Sequence, residues 1–415
     1  MWSNLVKLFS KKKKGISYQL PVVFSLLLIA VLLFLPTGYE DAVIYKGTER
    51  CSAEVVSVDD SKIISTGLIK SGEQSCVVRF EGGMFKGQEA EGVNMLTGSL
   101  QTDKIFVPGD RVLVVISHKG EEILSVNLID HYRIDKEAIL AGCFVLLLFV
   151  FAGVSGIRAI LSFVLTVLTI WKILVPAYLN GLNPVLLGLG IILFLTIMII
   201  TLVYGFDRRS FAAVSGSFLG ILTTCVLGIV FTNAFRIHGA IMSNSESLIY
   251  SGYEHLNLTQ IFMASIFIGA SGAVMDLAVD ITSAVQEVVL KKPDISKKEA
   301  ILSGMTVGRA AMGTMTTTLL LAYSGGSIAL LMVFMAQGTP LDNILNYKYI
   351  SSEILDTLVG SFGLVTVAPF TALTSGLVLA GRKEKGKETT ETAETQIETQ
   401  TEKQTEIQSE IQSEI

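Results

Sequence analysis

The chain opens on an apolar run, passes through one polar interval of short period, and then becomes apolar almost to its end. Residues 19–36 read QLPVVFSLLLIAVLLFLP, an uncharged run of about the length that crosses a hydrocarbon core. A cleaved signal peptide is the rival reading. Leu35-Pro36-Thr37-Gly38 lacks the small-x-small pattern of a cleavage site, so residues 20–36 are expected to stay as an anchor, with the preceding lysines in the cytoplasm.

Residues 37–135 change period. CSAEVVSVD, SCVVRFEGG, QEAEGVNML, KIFVPGDRVLVVIS and EEILSVNLID are short, rich in β-branched residues, partly alternating, and separated by Gly, Asp and Ser. Five or six such strands predict a small β-barrel, with Pro108-Gly109-Asp110 as a turn into an inner strand. The barrel either binds something or only covers the membrane part.

From residue 136 the apolar runs predict spans over residues 137–156, 157–179, 184–204, 210–232, 259–288, 299–323 and 353–381. With the N-terminus inside, Arg158, Asp207-Arg208-Arg209 and the run from Lys291 to Lys298 fall in cytoplasmic loops, as do Arg382 and Lys383. That agreement supports eight spans. GGSIALLMVFMAQG, residues 325–338, is too short for a ninth crossing, and Gly325-Gly326 should break a helix there. It is expected to be re-entrant or to lie in the interface, with its backbone shielded by protein or water.

The fold class is therefore an α-helical polytopic membrane protein of about eight transmembrane helices plus one re-entrant or interfacial segment. A small extracytoplasmic β-barrel-like domain stands between the first two helices. The expected order is a basic cytoplasmic N-terminus (1–19), a transmembrane anchor (20–36), the β domain (37–135), a helical membrane domain (136–381) and a cytoplasmic tail (382–415). The tail is repetitive Glu, Thr and Gln and is expected to be disordered.

Composition agrees with this division. Half of the residues are hydrophobic, 17% are charged and mean hydropathy is +0.58, too apolar for a soluble chain of 415 residues. The net charge of −5 reflects the termini, and no basic face for nucleic acid follows. The four cysteines have no metal-ligand spacing, and no cofactor or metal is expected. A Cys51–Cys76 disulfide requires an oxidising space and a strand register that brings the two Cα atoms within bonding range.

Candidate chemistry lies in GASGAVMDLAVDITSAVQEV, residues 269–288. Gly269, Ala273, Asp276, Asp280, Ser283 and Glu287 recur at intervals of three and four, forming one stripe of small and acidic residues. Met275, Leu277, Val279, Ile281, Val285 and Val288 hold the other faces, so the acids are expected to face inward. A carboxylate at mid-membrane is unfavourable unless it is paired, protonated or wetted.

The next span offers Arg309, its only charge between residues 300 and 323, after a Ser296-x-x-Glu299 capping box. From the cytoplasmic ends, Arg309 should lie about 15 Å deep, Asp280 about 12 Å and Asp276 about 18 Å. The guanidinium would then bridge both acids. Gly304 and Gly308 are spaced for close helix approach, while Gly313, Thr316 and Thr317 extend a polar lining toward Gly325 and Gly326.

One arginine with two carboxylates leaves a negative charge for a proton or small cation to neutralise. The alternative is a static buried triad, although buried ion pairs add little stability over apolar packing. Glu287 either joins the site or is simply solvated. Lys172 is placed to snorkel, and Glu353 and Asp356 form either an outer mouth to the acids or a solvated helix end.

GASGAVMDLAVDITSAVQEV, GRAAMGTMTTTLLLAYSGG and EILDTLVGSFGLVTVAPFTA together resemble the YibE/F-like family of bacterial membrane proteins, over residues 37–381. The resemblance implies a multi-pass protein of the bacterial plasma membrane. A fainter likeness, to one half of a resistance-nodulation-division exporter, implies membrane aspartates that carry protons. Here, however, the acids are four residues apart rather than adjacent, and the outer domain is small.

Three classes of function follow. The first is a secondary transporter or ion-coupled permease using Asp276, Asp280 and Arg309. The second is a non-transporting scaffold or sensor whose β domain binds an envelope protein. The third, an intramembrane aspartyl protease, is disfavoured because both aspartates share one helix and no Gly-x-Gly-Asp element is present. HExxH, G-x-S-x-G and phosphate-loop motifs are also lacking. The expected partners are the lipid bilayer, a proton or small cation and, in the second class, an envelope protein. Substrate and oligomeric state do not follow from the sequence.

Overall fold

The computed structural model describes residues 16–40 and 47–381. Most of the basic N-terminus, the tail, and Arg382 and Lys383 lie outside the described residues. The chain divides into two compact units: residues 38–157, and the first helix together with everything from residue 158.

The first unit is built on β1 (Thr48–Asp59), β2 (Ile63–Thr66), β3 (Ile69–Phe80), β4 (Glu89–Thr97), β5 (Arg111–Lys119) and β6 (Glu122–His131). Alternation places Cys51, Ala53 and Val55 of β1 and Cys76, Val78 and Phe80 of β3 inside, where they meet Val112, Val114 and Ile116 of β5. β1 pairs with both β3 and β5, β5 with β6, and β3 with β4, all antiparallel. A single parallel pair, Val93 with Asn127, joins β4 to β6 and closes the ring.

With the short β2 set aside as the hairpin partner of β3, this is a five-stranded Greek-key barrel of the OB type. Gly92 permits the closure, since a Cβ there would stand 2.5 Å from Leu128 Cδ1 and 3.2 Å from the Val126 carbonyl. The Pro108-Gly109-Asp110 turn leads into β5, with Gly109 at φ +92° and the Asp110 carboxylate accepting from the Val107 amide at 2.8 Å.

Cys51 pairs across to Val114 and Cys76 to Val58, so the two sulfurs attach at well-separated levels of the barrel. Both are free and buried, and the register excludes the Cys51–Cys76 disulfide. Helix α2 (Ile134–Ala152) leaves this unit; Arg111 ties its first turn to the barrel by pairing with both Asp135 and Glu81.

The second unit contains α1 (Ile16–Phe34), α3 (Val154–Thr169), α4 (Val175–Leu179), α5 (Pro184–Tyr204), α6 (Arg208–Ala234), α7 (Ser245–Tyr250) and α8 (Leu258–Lys291). After these come α9 (Lys297–Gly326), α10 (Ile328–Ala336), α11 (Leu341–Asn346) and α12 (Lys348–Leu379). A π turn at Ile170–Leu174 joins α3 to α4 ahead of Pro176, which has no N–H to continue the regular ladder. Lys172 within it donates to the Leu35 carbonyl at 2.9 Å rather than remaining free at the surface. Arg158 is not in a loop as expected: it lies buried in α3 and donates to the Leu202 carbonyl at 3.1 Å.

α8 is the centre of this unit and packs against α5, α6, α9 and α12. Small residues set the crossings. A Cβ on Gly216 or Gly220 of α6 would collide with Thr371 or Val367 of α12, and one on Gly376 of α12 with Ile301 of α9. Polar pins cross the same seams, among them Thr282 with Ser375 at 3.0 Å and Thr374 with the Ala212 carbonyl at 2.9 Å.

Among the described residues, five helices are long and apolar enough to cross a membrane, or six if the bent α9–α10 pair counts as one span. Eight crossings were expected, and the difference lies in the first two. The apolar part of α1 is short, and α2 carries Asp135, Lys136 and Glu137 in its first turn. The segment after Gly325-Gly326 turns by 64° at Ser327, the geometry of a broken span or a re-entrant loop.

Candidate functional site

Asp276 and Asp280 lie in the middle third of the 34-residue α8, and Arg309 in the middle third of the 30-residue α9. α8 is capped at its start by Asn257, whose side chain accepts from the Gln260 amide at 3.0 Å. α9 begins with the Ser296–Glu299 capping box, both of whose hydrogen bonds are present.

The acidic stripe does not face inward. Gly269, Asp276, Asp280, Ser283 and Glu287 are exposed on the chain's own surface, and only Ala273 is partly covered. The apolar face is the one that packs: Leu277, Ile281 and Val285 are buried in a core shared with α5, α6, α9 and α12, and Met275 is buried too. Close packing explains the outcome. With neighbours on several sides of α8, apolar side chains and glycines interlock at every seam, and the polar stripe is left on the remaining side.

Arg309 is exposed as well, and among the described residues no ion pair joins it to Asp276 or Asp280. The expected triad within one chain is therefore not formed. The reason is rotational. Gly304 and Gly308 are the α9 residues turned toward α8 and α12, where a Cβ on Gly308 would lie 3.0 Å from Ala368 and 3.1 Å from Ile281. Arg309, one residue further on, is swung about 100° away from that seam. Each such charge facing hydrocarbon at mid-depth is unfavourable by about 2.5–3.5 kcal/mol on insertion scales.

The remaining predicted residues separate into packing and surface roles. Thr316 and Thr317 return their hydroxyl protons to their own helix, to the Met312 carbonyl at 2.9 Å and the Gly313 carbonyl at 3.3 Å. Gly313, Gly325 and Gly326 are exposed, with open space where a Cβ would stand. Glu287 pairs with Lys291 one turn on, at 3.3 Å, as a solvated helix end does.

Two tyrosines, which sequence pattern did not single out, stand beside the stripe. The Tyr204 hydroxyl lies 2.6 Å from both the Val279 carbonyl and Ser283 Oγ, and its ring carries the Arg209 guanidinium at 5.1 Å. The Tyr323 hydroxyl would meet a Cβ on Gly269 at 3.0 Å. Glu353 and Asp356 are half-buried rather than solvated, and one Asp356 carboxylate oxygen has no hydrogen-bond partner. A cleft of about 180 Å³ lined by Tyr178, Asn183, His255 and Gln260 belongs to the other end of α8, about 24 Å from Asp276 along the helix. No cluster able to hold a metal ion occurs among the described residues.

A bundle of long apolar helices around α8, preceded by a small β-barrel, defines a multi-span α-helical membrane protein. The chain belongs to the YibE/F-like protein family, whose model matches residues 140–381. The match covers the helical part and begins after the barrel, a narrower extent than residues 37–381. No curated protein and no solved structure matches the chain.

Proposed function

We propose that the helical domain is an ion-coupled permease of the bacterial plasma membrane, in which Asp276 and Asp280 bind a proton or small cation. One observation carries the reading: two carboxylates one turn apart share an uncovered face in the middle of a span, with no ion-pair partner among the described residues. Placed there, they need a neutralising species that can come and go. The bend after Gly326 supports it, since a discontinuous helix is a common transporter element.

In this reading both termini are cytoplasmic and residues 37–135 extracytoplasmic, following the positive loops. No enzymatic step is assigned, because both acids project from one helix instead of facing each other across a cleft. The test is flux in vesicles reconstituted with the full chain and a pH-sensitive dye. Asp280→Asn should abolish the pH dependence of transport, and undiminished proton coupling would remove the acids from the mechanism.

The second reading, a scaffold or sensor whose barrel binds an envelope protein, draws on the exposed Ile64, Leu68 and Leu100 of the barrel. A partner crosslinked to the barrel in a protein that gives no flux would favour it.

A further inference from the structure

We infer that the open faces of α8 and α9 are covered by a second copy of this chain, with Arg309 of one copy set against Asp276 and Asp280 of the next. Three observations converge on a second copy rather than on lipid. The first is charge complementarity. The open face of α8 carries two carboxylates and that of α9 one guanidinium, yet within one chain they do not pair.

The second is depth. Counted from the ends at Lys291 and Lys297, Asp280 and Arg309 lie within about 2 Å of the same level, with Asp276 one turn further in. A rotation axis along the membrane normal relates copies without changing depth, so it brings these groups level. A chain with opposite charges at equal depth on two open faces is built to meet its own copy.

The third is the glycines. The buried glycines of this bundle are explained by their own neighbours, as Gly304 is by Val285 and Ala372. Gly272 and Gly313, mid-helix on the two open faces, would meet nothing within 4 Å if they carried a Cβ. On the two faces that carry the complementary charges, these glycines leave room for the backbone of another copy to approach closely. The ionic site is then shared, each copy supplying acids on one side and a guanidinium on the other. The inference concerns assembly, and it stands or falls separately from the permease reading.

The test uses the full chain in nanodiscs or mild detergent, with mass determined by light scattering and single cysteines placed for crosslinking. Gly272→Cys mixed with Gly313→Cys should give a disulfide-linked dimer on oxidation. Arg309→Ala and the Asp276→Asn/Asp280→Asn pair should each weaken self-association by about thirtyfold or more. Arg309→Asp and Asp280→Arg should each be monomeric alone and associate when mixed, a rescue that a merely destabilised fold would not show. A monomeric wild-type chain, or an oligomer indifferent to these charges with no Gly272–Gly313 crosslink, overturns the inference. If the chain is monomeric while Asp280→Asn still abolishes coupled flux, this inference fails and the permease reading survives; association without flux gives the reverse.

Discussion

Gly216 and Gly190 are both helical glycines, but their surroundings differ. Any Cβ on Gly216 runs into Thr371 of α12, whereas one on Gly190 of α5 meets nothing within 4 Å. Gly216→Val is expected to destabilise the bundle by about 1–3 kcal/mol through overpacking. Gly190→Ala should stabilise it by about 0.5–1 kcal/mol by reducing the freedom of the unfolded chain. Thermal unfolding of the two purified variants should move in opposite directions. Cysteine chemistry in the barrel follows burial as well. Burial pushes the Cys76 thiol up to about 11, and burial followed by the charge of Glu49 raises Cys51. Neither should be alkylated by iodoacetamide at neutral pH until the barrel unfolds, as peptide mass spectrometry would show.

Among elements, the barrel depends on interactions that no strand pattern announces. Gln74 of β3 donates to Asp60 at 2.8 Å and to the Phe106 carbonyl at 2.9 Å, and accepts from Asn94 and from the Phe106 amide, each at 3.0 Å. It thereby fixes the loop before β5 across the end of the barrel. Gln74→Leu strands several buried polar groups at once and should destabilise the barrel by about 1–3 kcal/mol. Amide exchange near Phe106 should accelerate first. The barrel should also lose stability in acid. Hydrogen bonds from Arg111 hold Glu81 below the usual carboxylate range, and Arg133 does the same for Asp130. A depressed carboxylate contributes stability that is present above its unfolded pKa of about 4 and is lost as pH falls through the lower folded value. Melting curves of the barrel's far-UV signal should therefore shift down as pH drops below about 4, and less steeply in Glu81→Gln.

At the scale of the molecule, the bend at Ser327 decides how the chain returns. If α10 turns back or lies in the interface, Thr339 stays on the side where α9 ends, and Thr339→Cys should react with an impermeant maleimide from outside intact cells. Labelling only after permeabilisation would mean that α10 crosses back as a span of its own. The sequence by itself determined the kinds of element and their order. A period of two separated the barrel strands from the helices, the capping box located the start of α9, and unbroken apolar runs marked the long spans. It also showed that Asp276, Asp280, Ser283 and Glu287 share one helix face, because that follows from about 100° of rotation per residue. Only the tertiary structure decided whether that face is covered. Interlocking glycines at Gly216, Gly220, Gly304 and Gly376 fixed how each helix is rotated, and the sum of those contacts turned the acids and Arg309 outward. It likewise decided that Cys51 and Cys76 lie too far apart to bond, since the pairing of β1 with β3 sets Cys76 opposite Val58, seven residues along the strand from Cys51. Periodicity is a local property of the chain, whereas the choice of neighbour rests on steric fit between residues far apart in sequence.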